Sequence, residues 1–320
     1  MSIATELHIV TGKGGTGKTT VAAALAMSLA GQGRRVLLCE VEGRQGIAQL
    51  FDVPPLPYAE RKIAVGPDGG EVFALAIDPE SALLEYLQMF YRLGRAGKAL
   101  DRFGIIDFAT TIAPGVRDVL LTGKVYEAAR RRDKDNRFAY DAVVMDAPPT
   151  GRITRFLNVN SELAGLAKVG PIKRQAESIM TMMRAKSTQV HLVTVLEEMP
   201  VTETIDGIAE LTREKLPVGH VVVNLIRPAL VSAQTRTALE AGAVDVSTIA
   251  SALESVSLPA EAALGLVNGG LAALRREDLE AEQRSVLDGS GRPVVELPRL
   301  PGGIDLGALY ELAGRLEKLR

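Results

Sequence analysis

Short, unbroken apolar runs recur along the chain at Glu6–Thr11, Arg34–Glu40, Glu71–Ile77, Tyr140–Asp146, Val190–Leu196, Val218–Leu225 and Pro293–Leu297. Runs of this length and continuity predict strands covered on both faces. Between them the apolar positions shift to helical spacing, over Thr19–Ala30, then Thr202–Lys215, then a terminal segment carrying Leu306, Leu309, Leu312, Leu316 and Leu319. Strands alternating with helices predict an α/β fold with a mostly parallel sheet flanked by helices. Its crossovers should be right-handed.

Three stretches carry helical pattern without a strand. Asp78-Pro79-Glu80 places an acceptor at a cap, proline at the first helical position and an acid in the first turn. Leu83, Leu84, Leu87, Phe90 and Tyr91 share one face of the helix that follows, and the pattern stays helical to about 131, broken at Gly94, Gly97, Gly104 and Pro114-Gly115. Residues 160 to 188 are again helical, as are 229 to 288, with a break at Gly269-Gly270. One domain spanning 1–320, with a helical subdomain from about 79–131 and 158–188, is the expectation. Arg130–Asp135 reads as a solvated helix end. Met180, Met182 and Met183 read first as core filling, although thioethers also suit a surface that accepts varied apolar partners. The terminal leucine stripe could lie on a membrane. With Glu311 and Glu317 on that helix, packing on the sheet is the stronger reading.

Composition narrows the classes. Hydrophobic residues make up 47% and charged residues 24%, ordinary for a globular protein, and a net charge of -2 leaves no electrostatic footprint for nucleic acid. No window approaches the about 18 apolar residues of a membrane span and the start lacks a leader pattern, so a cytoplasmic protein without an integral membrane segment is expected. Cys39 stands alone, which excludes an intrachain disulfide and a thiolate zinc or iron–sulfur site built by this chain. His8, His191 and His220 are far apart in sequence, lack ligand spacing and read as structural.

The chemistry begins at Gly12-Lys13-Gly14-Gly15-Thr16-Gly17-Lys18-Thr19-Thr20, which fits the phosphate-cradle pattern G-x-x-x-x-G-K-[ST] between a strand and a helix start. Its glycines let main-chain N–H groups converge on phosphate oxygens, the helix start adds partial positive charge and Lys18 adds a full one. Thr19 would offer its hydroxyl to Mg²⁺, and Asp146, delivered at a strand's carboxyl end, would organise the same ion through water. Glu42 and Arg44 follow another carboxyl end, where ligands of open α/β folds bind. Asn224 lies near the end of its strand, where an amide could read a base edge.

With Lys13 inside it, this motif resembles the "deviant" Walker A loop of the arsenite-pump, tail-anchored-protein targeting, division-site and partition ATPases and nitrogenase iron proteins. Asp146-Ala147-Pro148-Pro149-Thr150-Gly151-Arg152-Ile153-Thr154-Arg155-Phe156-Leu157 is similar to the switch II pattern of the arsenite-pump and tail-anchored-targeting branch, and Val221–Asn224 to its adenine-contacting segment. The resemblance implies a dimeric Mg·ATP-dependent ATPase, a homodimer or a heterodimer with a related ATPase. Lys13 would reach into the partner's nucleotide site, and the helical subdomain would handle a membrane-protein or other apolar client. Because Cys39 is alone, the family's arsenite-binding, zinc-clip and cluster cysteines have no counterpart. The family's switch I Asp-Pro-Ala is Glu42-Gly43-Arg44 here, one methylene longer and on a loop expected to be more flexible. A water-placing group displaced by about 1 Å can cost about a hundredfold in rate, so Glu42 implies slow turnover or a sensing role. Arg152 stands where the family has histidine. Two other readings follow: a weakly hydrolysing regulatory subunit paired with an unlike relative, and a membrane-positioning ATPase of the division-site type resting on the terminal helix.

Overall fold

A computed structural model of the protein describes residues 5–91, 114–158 and 171–319. Its strands are β1 (Glu6–Gly12), β2 (Arg35–Glu40), β3 (Arg61–Val65), β4 (Glu71–Ala76), β5 (Ala142–Asp146), β6 (Thr188–Thr194), β7 (Val218–Ile226) and β8 (Val294–Pro298). They form one sheet in the order β3-β4-β2-β5-β1-β6-β7-β8, parallel throughout except for the β3–β4 pair. Around it lie α1 (Lys18–Leu29), α2 (Gly46–Leu50), α3 (Pro79–Tyr91), α4 (Pro114–Arg130), α5 (Thr150–Leu157), α6 (Pro171–Met183) and α7 (Glu198–Arg213). The C-terminal part adds α8 (Ala233–Glu240), α9 (Val246–Ser255), α10 (Ala262–Asp288) and α11 (Leu306–Arg315).

The strand runs are apolar throughout because both sheet faces are covered. On one side Val10, Leu38 and Val144 pack under α1 and α11. α1 is apolar around its whole circumference, as a helix sandwiched between sheet and helix must be, and Val21 to Ala30 are buried. On the other side Leu7, Ile9, Leu37 and Met145 meet Val125 of α4, Ile153 and Phe156 of α5, Ile179 and Met183 of α6 and Leu211 of α7. Met180 and Met183 are core, and Met182 packs partly buried against it, which favours the core-filling reading of these methionines. Leu309, Leu312, Leu316 and Leu319 are likewise buried, in the core that includes α1. Among the described residues no helix is long and apolar enough to cross a membrane.

Several expectations change. β3 carries only the short apolar run Ile63–Val65 because it is an antiparallel edge strand with Arg61 and Lys62 exposed, and charge on an edge discourages further pairing. Gly269-Gly270 does not break the third helical block. α10 runs through both glycines, and a Cβ on Gly270 would sit 3.1 Å from Leu239, so the glycine admits close approach of α8. At Pro114-Gly115, where the sequence pattern breaks, Pro114 opens α4, as proline's fixed φ suits a first turn. Arg131 is not simply solvated: it pairs with Glu60, which also accepts from the Tyr140 hydroxyl at 2.6 Å. The breaks at Gly94, Gly97 and Gly104, and the side chains of Leu87, Phe90 and Tyr91, lie outside the described residues.

Candidate functional site

The phosphate loop leaves β1 at Gly12 and enters α1 at Lys18. A Cβ at Gly12 would lie 2.1 Å from the Val193 carbonyl oxygen of β6, so only glycine lets the strand turn there. Gly15 and Gly17 adopt φ of +90° and +86°, left-handed values that cost a side chain about 1 kcal/mol or more. Thr16 folds the loop on itself, its hydroxyl donating to the Lys13 carbonyl at 2.9 Å. Around Gly14 and Gly15 nothing lies within 4 Å of where a Cβ would stand, which leaves room for a phosphate. No side chain caps α1, so its first N–H groups stay available to an anion. Lys18 is buried, Thr19 and Thr20 half-buried.

Asp146, closing β5, accepts a 2.7 Å hydrogen bond from the Thr19 hydroxyl through Oδ2. Its Oδ1 is buried without a partner. Burial pushes the carboxyl up to about 6, against the pull of Thr19 and Lys18 and with the push of nearby Glu40 and Glu42. An orphaned buried carboxylate oxygen beside a threonine hydroxyl is a hard-oxygen donor set that fits Mg²⁺. Among the described residues no group of three or more His, Cys, Asp or Glu could hold a metal ion. A magnesium ion in a phosphate-loop site needs none, since phosphates and water complete its shell.

Switch I leaves β2 at Glu40. Glu42 pairs with Arg44 at 3.7 Å, and Gly43 takes φ +67°. The loop is less free than its composition suggests, because Gln45 is tied to Leu56 through both ends of its amide, at 2.7 and 3.2 Å. Switch II turns at Pro149 into α5, where Thr150 is buried and packs against α7: a Cβ on Gly207 would lie 2.6 Å from Thr150 Cγ2. Gly151 and Arg152 are exposed. Glu42, Arg44, Arg152 and, from α4, Arg117 and Asp118 face one another across a cavity of about 210 Å³. The two switches and the helical segment after residue 114 therefore share one space.

Lys13 and Asn224 are both engaged within the chain. Lys13 Nζ donates to Glu203 Oε1 of α7 at 2.7 Å. Asn224 Nδ2 donates to the Thr16 carbonyl at 2.9 Å, so here its amide steadies the phosphate loop. Glu203 and Glu40 escape sequence reasoning, since neither lies in a motif and each gains meaning only through its packing. The histidines, read from the sequence as structural, make contacts that the sequence does not suggest. Although distant in sequence, they meet on β1, β6 and β7: His191 Nδ1 accepts the His220 N–H at 3.2 Å, which leaves its Nε2 to donate to His8 Nδ1 at 3.1 Å. The His8 and His191 rings share the side-chain bond, whereas His220 joins through its main-chain N–H, with its half-buried ring tilted against His191 at 5.7 Å between centroids.

Similarity to known proteins agrees with this geometry. The family model described as "Anion-transporting ATPase" matches residues 5–188. "ATPase BagA" of Mycobacterium tuberculosis is 53% identical over 97% of this chain and 92% of its own length. "Arsenical pump-driving ATPase" of Acidiphilium multivorum is 25% identical over 96% of this chain and 54% of its own length. "ATPase GET3" of Podospora anserina is 29% identical over 53% of this chain and 48% of its own length. With its phosphate loop, its Thr19–Asp146 pair and more than half its length matched by that model, this chain is an ATPase and belongs to the anion-transporting ATPase family.

Proposed function

We propose that this ATPase is a cytoplasmic dimer that closes on Mg·ATP and passes the closure to a helical subdomain of about residues 79–131 and 158–188, which handles an apolar or membrane-protein client. The observation that carries the ATP half is the buried Asp146 carboxylate, bonded to Thr19 on one oxygen and unpartnered on the other. Lys18 and the N–H groups from Gly14 to Thr20 hold the phosphates. Thr19 and, through water, Asp146 hold Mg²⁺, which when bound supplies neutralisation of phosphate charge. Glu42 orients the attacking water, and Asn224, by holding Thr16, ties the adenine side of the site to the loop. Lys13 supports the dimer: it points to Glu203 on α7 instead of into its own site, and would neutralise charge in a partner's site once released. The shared cavity of switch I, switch II and α4 supports coupling to the helical subdomain. Lys18→Ala should abolish nucleotide binding and turnover together; turnover at the wild-type rate would refute the reading.

The Glu42–Arg44 pair favours a second reading, a slowly hydrolysing subunit that works beside an unlike relative. Glu42→Asp should raise kcat if reach limits the rate, and no gain, with or without such a relative, would refute it. The membrane-positioning reading is weakened, because four residues of its stripe, Leu309, Leu312, Leu316 and Leu319, are used in packing and Leu306 alone of the stripe is exposed.

A further inference from the structure

Glu40 is 2% exposed, an unusual position for a carboxylate, and no motif accounts for it. It ends β2 directly opposite Asp146 of β5. Its two oxygens reach across the switch I loop, Oε1 accepting the N–H of Gly46 and Oε2 that of Ile47, each at 3.3 Å. Gly46 in turn lies against Thr19, since a Cβ there would stand 3.2 Å from Thr19 Cγ2. The loop is thus closed at its base by a buried carboxylate and laid on the residue whose hydroxyl binds Asp146. Gln45 is separately fixed to the Leu56 backbone. Between these ties, Glu42 and Arg44 pair with each other at 3.7 Å.

We infer that Glu40 is a positioning residue for ATP hydrolysis, whose bonds to Gly46 and Ile47 hold the switch I loop against Thr19 and so fix where Glu42 presents its carboxylate. It touches no phosphate itself. Phosphate affinity comes from Lys18 and the loop N–H groups, none of which Glu40 holds, so losing the Glu40 clamp should cost rate and leave binding nearly intact. A displacement of a water-placing group by about 1 Å costs about a hundredfold. The inference rests on the reading of Glu42 as the group that orients water.

The test uses the full-length protein and two variants, Glu40→Ala and Glu40→Gln. In Glu40→Ala the Gly46 and Ile47 amides should exchange with deuterium at least about tenfold faster, kcat should fall about tenfold to a hundredfold, and KM for ATP should stay within about twofold. Glu40→Gln keeps one carbonyl acceptor for the two amides and should recover part of both losses. Unchanged exchange at Gly46 and Ile47 in Glu40→Ala would overturn the inference, as would kcat and binding failing in proportion. If Glu40→Ala does not fold, Glu40→Gln decides, since wild-type exchange together with wild-type kcat would overturn it. Glu42→Ala separates the two readings: an unchanged kcat there refutes the role of Glu42, while the exchange readout still decides whether Glu40 holds the loop.

Discussion

The contact between Gly17 and Asn224 joins the phosphate loop to β7, and substitution there tests the site without nucleotide. Gly17→Ala places a Cβ 2.4 Å from Asn224 Nδ2 on a backbone at φ +86°. Alanine in the left-handed region costs about 1 kcal/mol. The Asn224 amide must also withdraw, breaking its 2.9 Å bond to the Thr16 carbonyl. Loss of a buried hydrogen bond costs about 1 to 3 kcal/mol, so Gly17→Ala should destabilise the nucleotide-free protein by about 2 to 4 kcal/mol. Asn224→Ala loses the same bond with no backbone strain, about 1 to 3 kcal/mol. Since both substitutions remove one bond, the double variant should cost less than the sum of the two by about the worth of that bond. Gly14→Ala is the control, with no left-handed φ and nothing within 4 Å of its Cβ. It should leave stability within about 0.5 kcal/mol and block ATP, because its methyl enters the phosphate space. Urea unfolding without nucleotide measures the cycle, and ATP titration measures the control. Additivity of Gly17→Ala and Asn224→Ala within about 0.5 kcal/mol would refute the coupling.

Asp146 should make stability depend on pH in the direction opposite to an ordinary paired carboxylate. Its folded value, about 6, exceeds the reference 3.8, so without nucleotide and metal stability should fall by about 3 kcal/mol as pH rises from about 4 to 6. Asp146→Asn should flatten that fall and stabilise the protein at pH 7 while abolishing turnover, as urea unfolding against pH would show. Burial first, then His8 and His220, holds the His191 ring well below its usual 6.5. The unfolded chain therefore takes up protons that the native row refuses, so stability from this group is complete above pH 6.5 and lost on acidification. In an Asp146→Asn background His191→Gln should shallow that acid limb. Glu203→Ala frees Lys13, and as a part-exposed pair is worth under about 1 kcal/mol, the dimer proposed for the ATP-bound state should strengthen by up to about fivefold, a change analytical ultracentrifugation would measure.

The sequence shows what local pattern determines. A phosphate loop is a spacing of glycines and one lysine, and a doubly covered strand is an apolar run, so Gly12–Thr20 and the central strands could be read directly. β3 could not, because an edge strand buries little and its Arg61 and Lys62 look like loop residues. Gly269 and Gly270 carry a break signal, yet helix packing against Leu239 outweighs a propensity cost of about 1 kcal/mol each. The histidine row and the partners Glu203 and Glu40 depend on which strands and helices become neighbours. His8 and His191 are 183 residues apart and Lys13 and Glu203 190, distances over which no periodicity carries information.

Switch I shows how a correct motif reading can still misplace the physical question. Replacing Asp-Pro-Ala by Glu42-Gly43-Arg44 suggests looseness, since glycine frees a backbone that proline would fix. Yet Gly43 stands at φ +67°, which proline, locked near −65°, cannot adopt, so the loop takes a different path as well as carrying a longer acid. Its base is pinned by Glu40 to Gly46 and Ile47, and its far end by Gln45 to Leu56. Between those anchors Arg44 lies 3.7 Å from the Glu42 carboxylate, a competitor for the position in which that carboxylate would meet water. Under the proposed role of Glu42, the rate is set by reach and by the Arg44 pair more than by loop disorder. Removing the arginine head group should speed hydrolysis, whereas stiffening the backbone should not.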